Sequence, residues 1–211
     1  GRIVKENRAA NSRQASRRPV NPAGVDALEE EGLNSTQPAR SGLLGWNKHF
    51  SSGGCNYCMR PIRPSDIEHY PAFLDRISAH DIKQRFLVAR KTFSSLELRR
   101  ITQIDHDREI AFVVFEAEHE DLAGVGRLCW DPAVGTGECA LLVRTDLQGK
   151  GIGSLLLRQI VAYAKLKTIG RIEGIVLEEN LTMLDLCRKF GFRIVPHPHE
   201  LGLRVVALNL D

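Results

Sequence analysis

The sequence predicts a mixed α/β fold, one central sheet of six to seven strands with helices on both faces. Two observations carry that expectation. Segments with strand and helix character follow one another as strand, helices, three strands joined by short turns, helix, strand, helix and two strands, an order that packs helices on both sides of one sheet. The composition agrees, because 43% hydrophobic and 26% charged residues in a chain of 211 is the balance of a globular protein. That length holds one domain of ordinary size with sequence to spare. No apolar run reaches the roughly 18 residues that a membrane span needs, so no membrane association is expected.

The spare sequence lies at the start. Residues 1–58 lack sustained apolar periodicity, are rich in Asn, Ser, Arg, Pro, Gly and Ala, and hold the block Glu29-Glu30-Glu31. They are expected to be a linker-like segment with little fixed structure. The chain opens on Gly1 rather than Met, as a truncated or processed product would. The pattern changes at Met59, and residues 59–211 are expected to form the domain. Arg60 to Pro64 is a short extended piece with proline breaks. Ser65-Asp66 starts a helix over about Ile67 to Ile77, with Tyr70, Phe73, Leu74 and Ile77 on one face and Pro71 early enough to be tolerated. Helical turns follow near 80–88 and 94–103. Glu109 to Ala117 is a strand because Ile110 to Phe115 is a continuous apolar run. Leu122 to Trp130 returns beside it after the turn His119-Glu120-Asp121. Glu138 to Arg144 is the fourth strand and Ile172 to Leu177 the fifth. Between them Ile152 to Lys167 carries Leu155, Leu156, Ile160, Tyr163 and Ala164 at helical spacing. Leu181 to Phe190 is a helix stopped by Gly191, and Phe192 to Val195 and Leu203 to Leu210 are the last strands.

Charge and cysteine content narrow the function. Residues 1–58 carry eight basic and five acidic residues, so the whole net charge of +3 belongs to that segment. The remainder is neutral and has no global electrostatic drive toward nucleic acid or an anionic membrane. The five cysteines are odd in number and three lie inside apolar patterns, which argues for a reducing, cytoplasmic compartment rather than a disulfide scaffold. Cys55-x-x-Cys58 is half of a zinc site with no second pair at a suitable spacing, so no metal is expected.

The chemistry concentrates in Gln148-Gly149-Lys150-Gly151-Ile152-Gly153-Ser154. An apolar run leads in, an amphipathic run follows, and three glycines alternate between them: a strand, a tight turn and a helix N-terminus. Glycine lets the backbone approach a ligand, and the first N–H groups of a helix have no partner inside it, so this turn is a cradle for pyrophosphate. The spacing is neither that of the dinucleotide fingerprint nor that of the P-loop. The bland alternative is a glycine-rich turn with no ligand.

The spacing Gln-x-x-Gly-x-Gly resembles the pyrophosphate loop of the GNAT acyltransferases, whose ligand is acetyl-CoA. A second stretch agrees. Leu177-Glu178-Glu179-Asn180, followed by Met183, Leu184, Leu186, Cys187, Phe190 and Gly191, is similar to the GNAT segment in which an asparagine caps a helix and contacts the CoA arm. Asn180 is otherwise an ordinary N-cap. The resemblance runs from about Ile62 to Leu210. It implies the GNAT fold, with the fourth and fifth strands splayed and the pantetheine arm of acetyl-CoA between them. It also implies cofactor contacts from Leu141, Leu142 and Val143 on the fourth strand, from Gln148 to Ser154 in the turn, and from Asn180 and Met183. A strand N–H there would polarise the thioester carbonyl. Lys150 and Arg144 would add positive charge, or be solvated surface groups. Transfer to an amine needs a base, and Glu138 stands where many GNAT protein acetyltransferases carry a catalytic glutamate, or is otherwise a strand-edge glutamate in solvent. Where most such enzymes have a tyrosine, seven residues after the asparagine, this chain has Cys187. That thiol is either a proton donor to the leaving group or a small core residue. His197 and His199 either line the acceptor side or sit in a surface loop.

Thr102 to Val113, with Arg60 to Asp66 and Gln84-Arg85-Phe86, resembles bacterial protein lysine acetyltransferases that modify acyl-CoA synthetases. The implied reaction moves acetyl from acetyl-CoA to a protein lysine by direct attack in a ternary complex, and the implied partner is a protein substrate of the acyl-CoA synthetase kind. Asp105, Asp107 and Glu109 either meet a basic substrate surface or form a solvated turn. Two other functions remain open on the same fold, a small-molecule amine acetyltransferase and a non-catalytic acyl-CoA sensor.

Overall fold

A computed structural model describes residues 44–88 and 92–210. The middle of the sheet is built by the apolar run around Phe112. In β3 (Glu109–Glu116) every residue from Ile110 to Phe115 is buried. Alternate side chains enter two separate cores. Ile110, Phe112 and Val114 join one, and Ala111, Val113 and Phe115 join the other. A strand that is apolar on both sides needs cover on both sides, and helices supply it.

Eight strands pair in the order β1-β2-β3-β4-β5-β6-β8-β7. They are β1 (Lys48–Ser52), β2 (Cys55–Pro61), β3, β4 (Leu122–Asp131), β5 (Thr136–Val143), β6 (Arg171–Leu177), β7 (Arg193–Pro196) and β8 (Leu203–Asn209). All neighbours are antiparallel except β5 and β6. Three helices, α1 (Tyr70–Asp75), α2 (Ala79–Phe86) and α3 (Ser95–Thr102), supply or flank the core that holds Val113. Two more, α4 (Ile152–Leu166) and α5 (Leu181–Lys189), cover the face that holds Phe112. Each start has a local cause. Ser78 caps α2 by accepting from Asp81 N–H, Ser94 and Glu97 form a capping box on α3, and Asn180 caps α5 by accepting from Met183 N–H at 3.0 Å.

The structure corrects three expectations. Regular structure is present from residue 44 on, ahead of the expected start at Met59. β1 and β2 form a hairpin on the sheet edge, and Trp46 packs against Phe112 and Tyr163 with ring centroids 5.8 and 5.3 Å apart. Strands this short carry few periods of alternation, so Phe50, Tyr57 and Met59 left no sustained signal in the sequence. The rest of the linker expectation falls on residues 1–43, outside the described residues. The helix expected over Ile67 to Ile77 is split into a 3₁₀ segment (Pro64–His69) and α1. Pro71 has no N–H with which to continue the ladder to the Ile67 carbonyl, and Tyr70 N–H takes that carbonyl instead. Finally the sheet has eight strands among the described residues rather than six to seven.

Candidate active site

β5 and β6 pair over only three positions, Thr136 with Arg171, Gly137 with Ile172 and Glu138 with Glu173. Beyond them the strands part, and a cleft of about 620 Å³ opens between Cys139–Val143 on one wall and Gly174–Val176 on the other. Gly174 marks the fork. A Cβ there would lie 3.1 Å from the Cys139 carbonyl oxygen, so a larger residue would push the strands apart at their point of divergence.

The mouth of the cleft is the glycine turn. Gly149 and Gly151 have φ of 78° and 80°, the left-handed region that favours glycine. The first hydrogen bond of α4 from this turn runs from Leu155 N–H to the Gly151 carbonyl at 3.1 Å. The N–H groups just ahead of it therefore have no helical acceptor, and Gly151, Ile152, Gly153 and Ser154 all line the cleft. That is a donor set suited to a pyrophosphate.

Along the wall, the strand edge is free where a pantetheine amide needs it. Arg144 N–H donates to the Ala123 carbonyl at 2.9 Å, which turns the even positions of β5 toward β4. Alternation then points the N–H groups of Leu141 and Val143 into the cleft. Leu142 differs. Its main chain faces β4, and it reaches the cleft through its side chain.

The structure gathers Leu141, Leu142, Val143, Gln148, Gly149, Gly151, Ile152, Gly153, Ser154, Asn180 and Met183 around this one cleft. Lys150 is not on its wall. Its carbonyl accepts from Ser52 Oγ at 2.6 Å, and its stem crosses the β1–β2 turn, 3.3 Å from where a Gly53 Cβ would sit. Arg144 is neither a phosphate ligand nor a solvated group. It is 2% exposed and holds Asp146 through two hydrogen bonds of 3.0 and 2.7 Å and Glu116 through a third. The hydrogen bonds from Arg144 lower the Asp146 carboxyl to about 2.

Glu138 is half-buried and lies one residue before the cleft wall begins at Cys139, in register with Cys129 on β4 and Glu173 on β6. Arg85 and Cys129 are electrostatic neighbours of its carboxylate. Burial first, then Arg127, lowers the Arg85 guanidinium to about 10. Cys187 is fully buried in the core of α5 and is not on the cleft wall, and burial pushes its thiol up to about 11. His197 accepts at Nδ1 from Glu200 N–H at 3.0 Å and so shapes the β7–β8 turn. Asp105 accepts from Asp107 N–H in a turn, and Glu109 is taken by Arg127 and Cys129.

The residues that sequence reasoning missed are on α2. His80, Asp81, Gln84 and Arg85 form one bank of the cleft. Asp81 accepts from Ser78 and Thr145, and Lys83 pairs with Glu179 at 3.0 Å, so α2 touches both lips. Nothing in local spacing marks these contacts, which join residues 64 and 96 positions apart.

The profile of the acetyltransferase (GNAT) family matches residues 77–192, more than half of the chain. The chain belongs to the GNAT family. It is a GNAT N-acetyltransferase, and GNAT enzymes draw their acetyl group from acetyl-CoA. An acetyltransferase of Pseudomonas aeruginosa is 30% identical over 141 residues, 66% of this chain and 76% of that one. Acetyltransferase Pat of Mycolicibacterium smegmatis is 26% identical over 136 residues, which covers 64% of this chain and 40% of that longer protein. Among solved structures, the GNAT domain of S. lividans PAT superimposes with a TM-score of 0.72 at 23% identity, over 82% of this chain and 99% of that one. The splayed pair, the glycine turn and the capped α5 are thus the GNAT architecture in this chain. Among the described residues no group of three His, Cys, Asp or Glu is placed to hold a metal ion, and no helix is long and apolar enough to cross a membrane.

Proposed function

We propose that this GNAT enzyme acetylates the Nε of a protein lysine, with Glu138 as the base. The observation that carries this reading is the position of Glu138. It is the last β5 residue paired with β6, next to the wall on which the Leu141 and Val143 N–H groups face the cleft. In this reading the glycine turn holds the pyrophosphate of acetyl-CoA, the β5 edge holds the pantetheine amides, and an N–H of Leu141 or Val143 polarises the thioester carbonyl. The thioester carbon then lies close to Glu138. The acceptor ammonium gives a proton to the Glu138 carboxylate, directly or through one water, and the free amine attacks. The C–N bond forms, the C–S bond breaks with its electron pair going to sulfur, and the departing thiolate takes the second nitrogen proton, which leaves the amide and the CoA thiol. Cys187 takes no part, since it is buried behind the wall.

A protein acceptor is favoured over a small amine by two relatives. One bears the name Pat, and the solved S. lividans domain is from a PAT. The resemblance of Thr102 to Val113 to lysine acetyltransferases of acyl-CoA synthetases makes such a synthetase the acceptor to try first. The purified chain is incubated with acetyl-CoA and an acetyl-CoA synthetase from the same source, and peptides are mapped by mass spectrometry. The expected result is one acetyl group on one synthetase lysine, with the rate lowered about a hundredfold or more by Glu138→Gln at little cost in acetyl-CoA binding. Unchanged turnover in that variant removes Glu138 as the base. Acetyl-CoA binding without transfer to the synthetase moves the acceptor to a small amine.

A further inference from the structure

The parallel pairing of β5 and β6 puts a second carboxylate beside Glu138. Residues in register on neighbouring strands point to the same face, so the Glu173 side chain emerges next to that of Glu138, on the face that carries α2. Two residues further along each strand, Ala140 and Ile175 share that face and line the cleft. The pair Glu138 and Glu173 therefore continues the cleft wall past its closed end, beside the point where the proposed reading places the thioester carbon.

The charged surroundings of the two carboxylates differ. Glu138 has Arg85 and Cys129 on its α2 and β4 side. A third carboxylate in the same cross-strand row, Glu109, is committed to Arg127 at 3.0 Å and to the Cys129 thiol at 3.0 Å. Among the described residues Glu173 has a long contact with Arg171, at 3.5 Å from Nε, and its side chain is 43% exposed. Its register neighbour on the far side, on β8, is the small Ala207. Arg85 thus stands on one side of the base, and on the other is the exposed Glu173 carboxylate, with Arg171 at 3.5 Å and Arg193 beyond Ala207 in the same register row.

We infer that Glu173 is a specificity-determining residue, whose carboxylate receives the ammonium of a cationic acceptor beside Glu138. The inference rests on the reading of Glu138 as the base of a lysine acetyltransferase. Glu173 binds charge and moves no proton, so it acts on acceptor affinity, while Glu138 acts on turnover.

The test uses the full chain, acetyl-CoA and two blocked peptides. One carries a single lysine. The other carries an aminooxy side chain in its place, a nucleophile that is uncharged at neutral pH. Glu173→Gln is expected to raise KM for the lysine peptide about tenfold at low salt, with kcat within about twofold of wild type. The rise shrinks at high salt, Glu173→Asp restores most of the affinity, and KM for the aminooxy peptide does not move. An unchanged KM for the lysine peptide, or an equal change for both peptides, overturns the inference. Transfer to neither peptide overturns it together with the lysine reading. The two readings fail separately: full turnover in Glu138→Gln removes the base, while the KM effect of Glu173→Gln is measured independently of it.

Discussion

Thr145, in the loop that leaves β5, donates its hydroxyl to the carboxylate of Asp81 on α2, 64 positions earlier in the chain. Ser78 N–H donates back to the same Thr145 hydroxyl at 2.8 Å, and Thr145 N–H reaches the Arg76 carbonyl. One side chain thus pins the start of α2 to the lip of the cleft. Burial works to raise the Asp81 carboxyl, but hydrogen bonds from Thr145, Ser78 and Gln148 outweigh it and hold it below the usual carboxylate range. Thr145→Val keeps the shape and removes the donor, leaving a buried carboxylate with a lost partner. The expected cost is about 1–3 kcal/mol, seen as a lower Tm in thermal unfolding.

The glycine turn makes a sharper prediction. Gly151 has φ of 80° with open space around its Cβ position, so Gly151→Ala strains the backbone without a clash. Stability is expected to fall by about 1 kcal/mol. The N–H groups behind it tilt away from their common focus, so acetyl-CoA affinity measured by calorimetry is expected to fall by about tenfold or more. Affinity equal to wild type would show that the turn does not hold the pyrophosphate.

Acid stability follows from Arg144 and Asp146. The Asp146 carboxyl is lowered from 3.8 to about 2 by the hydrogen bonds from Arg144. A depressed carboxyl stabilises the fold above its unfolded pKa and loses that contribution as the pH falls through the folded value. Wild type is therefore expected to exceed Asp146→Asn in stability at neutral pH by about 1–2 kcal/mol, on the low side because Asp146 is half-exposed and Glu116 still pairs Arg144. The gap is expected to close as the pH falls from 3.8 toward 2. Denaturant unfolding of the two proteins along that series checks it.

Cys187 is expected to be dispensable for chemistry. Its thiol is buried, pushed up to about 11, and off the cleft wall. Cys187→Ala is expected to keep kcat within about twofold and to cost about 1 kcal/mol of packing. A large drop in kcat with normal acetyl-CoA binding would make the thiol the proton donor.

Much of this site was legible in the chain because it is local. Gln148 to Ser154 forms the turn from its own glycines, and Asn180 caps α5 by a bond to a residue three positions away. Position in a local motif was not enough for charge. Arg144 and Lys150 sit beside the turn in sequence, yet one is buried against Asp146 and Glu116 and the other lies across the β1–β2 hairpin. Where a long side chain goes depends on partners that the neighbouring residues do not name. The β1–β2 hairpin itself was missed because two short strands carry too little periodicity to stand out from a polar segment.

The sequence by itself determined the order of strands and helices from Glu109 onward, the glycine turn and the Asn180 cap. Each depends on hydrophobic period or on contacts within a few residues, which are fixed before the chain folds. Only the tertiary structure decided that α2 forms a bank of the cleft through Asp81 and Lys83, and that Glu173 stands in register with Glu138. Those relationships join residues 64, 96 and 35 positions apart. They exist because β5 and β6 must pair at one end and part at the other, and no local pattern encodes where two distant strands meet.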